Sequence, residues 1–166
     1  KSNQKLKCLW LYHGGSGNHK EWLYHAPLTD ISNERNIAII LPNVNESCFV
    51  NMNIGDRYAN YVGKELPSII HKMFKCISDK RCDNYVSGLS NGGYGCLHTA
   101  LTYPDKYCMV GAFSAGDKAD SDFEDNGSLK SIQRIRLFGN GDIHNTDYCI
   151  IHLANKLVNK NVEKPV

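Results

Sequence analysis

Ser90 stands in the stretch of this chain whose spacing is tied most closely to a specific chemistry: Tyr85-Val86-Ser87-Gly88-Leu89-Ser90-Asn91-Gly92-Gly93-Tyr94-Gly95. Within it, Gly88-Leu89-Ser90-Asn91-Gly92 is G-x-S-x-G. A serine held on a sharp strand-to-helix turn needs neighbours without a Cβ two positions before and two after, or the backbone cannot fold back on itself. The helix that follows aims its N-terminal amides and the positive end of its dipole at the serine, where an oxyanion would form. The competing role, a serine that merely caps a helix, requires no glycine on either side.

A serine nucleophile needs two oxyanion donors, an acid and an imidazole. After the first apolar run comes His13-Gly14-Gly15-Ser16-Gly17. This loop offers the backbone N–H of Gly15 as one donor, with that of Asn91 as the other. A phosphate-cradling loop is the alternative, but no Lys-Ser/Thr follows and G-x-G-x-x-G is not completed. Asp142, at the end of Ile135-Arg136-Leu137-Phe138-Gly139-Asn140-Gly141, suits the chain order serine, acid, histidine. Asp147 competes and is better placed as a helix cap.

The imidazole is harder to assign. Downstream of Asp142 lie only His144, two residues away, and His152, inside a helical pattern. His13 is better suited to holding its own loop in shape. His19, His25, His71 and His98 come too early in the chain and read as surface or packing residues. No H-x-x-x-H spacing occurs, so neither a metal nor a cofactor is expected.

These residues require a frame. Cys8–Tyr12 and Ile37–Leu41 are continuous apolar runs, read as strands buried on both faces. Asn43–Gly55 is a polar loop. Tyr58 to Phe74 carries apolar residues at helical spacing, with Pro67 set to kink it or begin a second piece. Asn84–Leu89 is a third strand and Gly92–Tyr103 the helix after the serine. Cys108–Ser114 is a fourth strand, Asp117–Ser131 a polar excursion, Ile135–Phe138 a fifth strand and Asp147–Lys160 a final helix. Strands alternating with helices imply an α/β domain, a mostly parallel sheet with helices on both faces, spanning residues 1–166. The loops at Gly15, Ser90 and Asp142 would then share the C-terminal ends of the strands.

The 166 residues carry 42% hydrophobic and 22% charged residues and a formal net charge of +2. No stripe of Lys or Arg marks a nucleic-acid partner, and no apolar run is long enough to span a bilayer. Seven cysteines, none in C-x-x-C, read as small buried hydrophobes of a cytoplasmic protein rather than a disulfide framework. Cys76 and Cys82, flanking a loop, are the pair with disulfide potential. Lys1 is not a Met start, so a leader removed upstream stays open, as does homo-oligomerisation.

Leu11-Tyr12-His13-Gly14-Gly15-Ser16-Gly17-Asn18 with Trp22 resembles the start of the tributyrin-esterase/S-formylglutathione-hydrolase-like esterase family of the α/β-hydrolases. The likeness continues through Leu41-Pro42-Asn43, Glu65-Leu66-Pro67, the Gly88–Gly95 stretch and Tyr103-Pro104. It implies an α/β-hydrolase fold with Ser90 as nucleophile, Gly15 and Asn91 as oxyanion donors and Asp142 as acid. Where the family usually has Met after the nucleophile, this chain has Asn91. The family's histidine lies beyond a strand that would follow Val166, and its first strands would precede Lys1. The chain is therefore expected to be an incomplete copy whose base comes from outside the given residues. The activity implied is hydrolysis of a small-molecule ester or thioester through an acyl-enzyme, with short-chain acyl esters, acylated carbohydrates and formyl-glutathione in the family's range. The alternatives are a non-catalytic binding relative with an incomplete triad and, further off, a flavodoxin-like module.

Overall fold

A computed structural model of the chain describes residues 5–119, 125–160 and 165–166. Four strands form one parallel sheet in the order β2-β1-β3-β4: β1 is Lys7–Tyr12, β2 Ile37–Ile40, β3 Asn84–Leu89 and β4 Met109–Phe113. Between β1 and β2 run α1 (Glu21–His25) and α2 (Leu28–Arg35). Asn36, left-handed at φ 49, ends α2 and turns the chain into β2. The register sets Cys8 against Ala38 and Asn84, and Trp10 against Ile40 and Val86. One sheet face therefore gathers Cys8, Trp10, Tyr12 and Val86, packed on residues of the helices that follow β2 and β3.

The helical pattern over Tyr58–Met73 is built in pieces: α3 (Tyr58–Asn60), a π-helical turn (Tyr61–Glu65) and α4 (Leu66–Met73). Pro67 cannot donate to the carbonyl four residues back, and the helix widens just before it. The serine helix, α5, is Asn91–Thr102 and packs on β1, β3 and β4. The opposite sheet face meets α1 and α2 around Leu28, Ile39 and Leu41, so helices flank both faces. That face opens toward β4, where Met109 and Phe113 are exposed. Val166 lies along the outer edge of β4, its N–H donating to Cys108 O (2.9 Å) and its carbonyl accepting from Val110 N (2.8 Å).

A second apolar cluster sits beyond the C-terminal strand ends. Tyr94 of α5 packs there with Cys48, Val50, Leu137, Phe138, Ile143 and Cys149. It joins the Asn43–Gly55 loop to α6 (Leu129–Phe138) and α7 (Ile150–Lys160). Val44, Cys48, Phe49 and Val50 are buried, so the loop read as polar contributes to both clusters.

Two expectations are corrected here. Ile135–Phe138 is the last turn of α6, not a fifth strand. Ser128 caps that helix by accepting from the Ser131 amide, and the Leu129–Arg134 run propagates it through Phe138. Asp142 consequently follows a helix rather than a strand end. β2 is half-exposed along its whole length, because among the described residues it has a strand neighbour on one side only. Of the Asp117–Ser131 excursion, residues 120–124 lie outside the described residues, and Leu129–Ser131 already belong to α6.

Candidate active site

β3 ends at Leu89 and α5 begins at Asn91, leaving Ser90 alone to make the turn. Its backbone takes φ 55, ψ −115, a conformation that costs a non-glycine residue about 1–3 kcal/mol and persists only where neighbours hold it. Two bonds hold it: Ser90 N–H donates to Phe113 O (2.9 Å), and Ser90 O accepts from Tyr94 N–H (3.0 Å). The side chain makes no capping bond to α5 and is exposed, so Ser90 is not serving as a helix cap.

The flanking glycines are required by contact. A Cβ on Gly88 would lie 2.3 Å from the carbonyl oxygen of Gly92. One on Gly92 would lie 2.5 Å and 2.6 Å from the carbonyl oxygens of His13 and Tyr12. The His13–Gly15 loop is thus pressed against the serine turn.

Gly15 is exposed, and its backbone faces the Asn91 side chain: a Cβ there would be 2.6 Å from Asn91 Nδ2. The loop behind it is fixed by His13, which is buried. Nε2 of His13 accepts from Val44 N–H (3.4 Å), which leaves Nδ1 as the protonated nitrogen donating to Gly14 O (2.8 Å). With both nitrogens engaged, His13 shapes the loop.

Asp142 is exposed and bound to its own loop. Its Oδ1 accepts from His144 N–H (2.9 Å) and pairs with His144 Nδ1 (2.5 Å). The backbone and side-chain donors of His144 hold this carboxyl below its usual pKa. Arg134 braces the loop by donating to Gly139 O (2.7 Å) and Gly141 O (3.4 Å). Among the described residues, no hydrogen bond joins Asp142 to Ser90, and no imidazole hydrogen-bonds to the Ser90 hydroxyl. His152 is half-buried on α7, and Asp147 pairs with Lys156. Gly15, Ser90 and Asn91 are thus brought together, while Asp142 and His144 form a separate pair.

Two residues carried no signal in the sequence. Lys118 Nζ donates to Asn91 Oδ1 (2.9 Å) and lies over the Tyr94 ring (5.6 Å). Asp117 caps α7 from a distance, accepting from the amides of Ile150 (3.0 Å) and Ile151 (3.3 Å). Both sit in an aperiodic polar stretch and act across the fold, so no local spacing marks them.

Cys8, Cys48, Cys96 and Cys149 are buried, and burial pushes the thiols of Cys8 and Cys96 up to about 12. Cys76 and Cys82 are exposed free thiols. Among the described residues, no cluster of His, Cys, Asp or Glu could hold a metal ion, and no helix is long and apolar enough to cross a membrane.

A mostly parallel sheet with helices on both faces and a strained strand-to-helix turn at Ser90 defines the α/β-hydrolase fold class. Residues 1–142 match the family described as Putative esterase, and the chain belongs to that family. An acetyl esterase of Caldicellulosiruptor saccharolyticus is 32% identical over 114 residues, 68% of this chain and 42% of that protein. FphF, a fluorophosphonate-binding serine hydrolase of Staphylococcus aureus, superposes with a TM-score of 0.86 at 29% identity. An S-formylglutathione hydrolase of the same organism gives 0.81 at 30%. Each alignment covers 99% of this chain and 64% of the neighbour. The chain thus spans less than two thirds of the length of these relatives.

Proposed function

We propose that this chain carries the nucleophile and oxyanion donors of a serine esterase acting on short-chain esters or thioesters. The observation that carries the reading is Ser90 itself, exposed, uncapping and held at φ 55 between two glycines that cannot accept a Cβ. Ser90 Oγ attacks the carbonyl carbon, and its proton passes to a base. The oxyanion is met by the N–H groups of Gly15 and Asn91, the alkoxide or thiolate leaves with a proton, and water then hydrolyses the acyl-enzyme. The intimate packing of the Gly15 loop on the serine turn supports the donor assignment. Asp142 is the acid: both His144 contacts fall on Oδ1, and Oδ2 accepts from no other described residue, which suits it to receive the Nδ1–H of the catalytic imidazole.

The test is hydrolysis of 4-nitrophenyl acetate and butyrate, with labelling by a fluorophosphonate probe, beside Ser90→Ala. Turnover and labelling should both vanish in the variant. Equal turnover in the two proteins would overturn the reading, and a parent that neither turns over nor labels would favour a binding relative.

A further inference from the structure

The Asn91 side chain stands between two parts of the fold. Its Oδ1 accepts from Lys118 Nζ (2.9 Å), and its other end lies against Gly15, where a Cβ would meet Nδ2 at 2.6 Å and Cγ at 3.3 Å. An ammonium can only donate, so the oxygen is the end at Lys118 and the amide nitrogen the end at Gly15. An ammonium also carries three donors, so it holds Asn91 whatever else it contacts. Lys118 is in turn anchored. Its Nζ lies over the ring of Tyr94, which is fully buried and donates from its hydroxyl to Tyr148 O (2.6 Å). Its chain neighbours are pinned as well: the Asp117 carboxylate accepts from the amides of Ala119, Ile150 and Ile151, and Ala119 is buried in the second cluster.

We propose that Lys118 is a positioning residue for the oxyanion site, holding the Asn91 carboxamide against the Gly15 loop so that the two donor amides keep their spacing. The proposal rests on the reading of Ser90 as nucleophile. Gly14, Gly15 and Gly17 give that loop a soft backbone, which must be held from outside. His13 holds it from behind and Gly92 touches its start, but the three atoms nearest a Cβ at Gly15 all belong to Asn91. Without the Lys118 bond the carboxamide is released to turn about Cβ–Cγ, and Gly15 loses its fixed neighbour. The other proposed donor is on the same residue, because the Asn91 N–H opens α5 and has no partner within the helix. Donors lower a barrier when they are already in place where charge develops. Loosening them therefore falls on kcat, whereas a bond that only stabilises the fold leaves kcat alone.

The test is a double-mutant cycle on 4-nitrophenyl acetate. Lys118→Met keeps an unbranched stem over Tyr94 and removes the donor. It should lower kcat about tenfold and change KM by less than about twofold. Asn91→Ala, which leaves the backbone N–H in place, should lose a similar factor. Adding Lys118→Met to Asn91→Ala should change kcat by less than about twofold more, because the lysine acts through the carboxamide. Losses that multiply in the double variant would overturn the proposal, as would a Lys118→Met protein with a lowered urea midpoint and unchanged kcat. The proton–nitrogen NMR spectrum of Ser90→Ala gives a readout independent of turnover. Adding Lys118→Met there should displace the Gly15 amide and the Asn91 side-chain resonances, and an unmoved Gly15 amide would overturn the proposal. Displacement of Gly15 in a protein whose parent does not hydrolyse 4-nitrophenyl acetate would keep Lys118 as the brace of this loop and remove the esterase.

Discussion

Ser90 and Asp142, the proposed nucleophile and acid, differ in how firmly they are held. The serine is fixed by backbone contacts that admit no side chain at Gly88 or Gly92. The carboxylate is exposed and its contacts are local, with both His144 donors on one oxygen. If Asp142 orients the catalytic imidazole, Asp142→Asn should lower kcat by roughly a thousandfold or more, because the amide would stabilise the wrong tautomer. His144→Asn, which leaves Oδ2 untouched, should keep turnover within about threefold of the parent. A collapse in His144→Asn comparable to that in Ser90→Ala would instead make His144 the base. The sharp turn at Ser90 and the close approach of the Gly15 loop to it were legible in the sequence because G-x-S-x-G and His-Gly-Gly encode that backbone geometry locally. Lys118 was not, since its bond to Asn91 spans 27 positions and obeys no spacing rule.

At the scale of elements, the serine turn behaves as one unit with the β1 loop. Gly92→Ala would drive a methyl into the carbonyls of Tyr12 and His13, both in rigid backbone. The variant should lose about 1–3 kcal/mol of stability, read as a lower urea midpoint, together with its turnover. Retention of both would mean the β1 loop can withdraw. His98 of α5 is buried, and burial lowers its pKa to about 4, with Asp147 opposing the shift. The fold disfavours the charged imidazole while the unfolded chain accepts a proton near pH 6.5. The neutral-state stability is therefore complete above about 6.5 and is lost as pH falls toward 4. Between pH 7 and 5 the parent should lose about 2 kcal/mol more unfolding free energy than His98→Leu. Equal losses would show that His98 is protonated freely in the fold. The misread element teaches a related point. Ile135-Arg136-Leu137-Phe138 looks like a strand in isolation, but four residues hold no periodicity, and the deciding signal, the Ser128 cap, lies seven residues upstream.

For the molecule as a whole, alternation of apolar runs with helical patterns was enough to predict a parallel sheet, and the ranges of all four observed strands differ from the expected ones by two residues or fewer. The alternation could not say which strands are central, because order comes from tertiary pairing. That order, β2-β1-β3-β4, has a measurable consequence. β1 and β3 have partners on both sides and carry Trp10 and Val86, each 1% exposed, in the core. Among the described residues β2 pairs only with β1, and it is half-exposed at every position. Opening β2 breaks one ladder and uncovers little apolar surface, whereas opening β1 splits the sheet and the Tyr12–Phe49 stack with it. Under native conditions the amides of Trp10, Leu11 and Val86 should exchange with solvent deuterium only through global unfolding, and those of Ala38–Ile40 at least about tenfold faster. Matching protection in β1 and β2 would mean that β2 is covered on its free edge in the protein as it exists in solution.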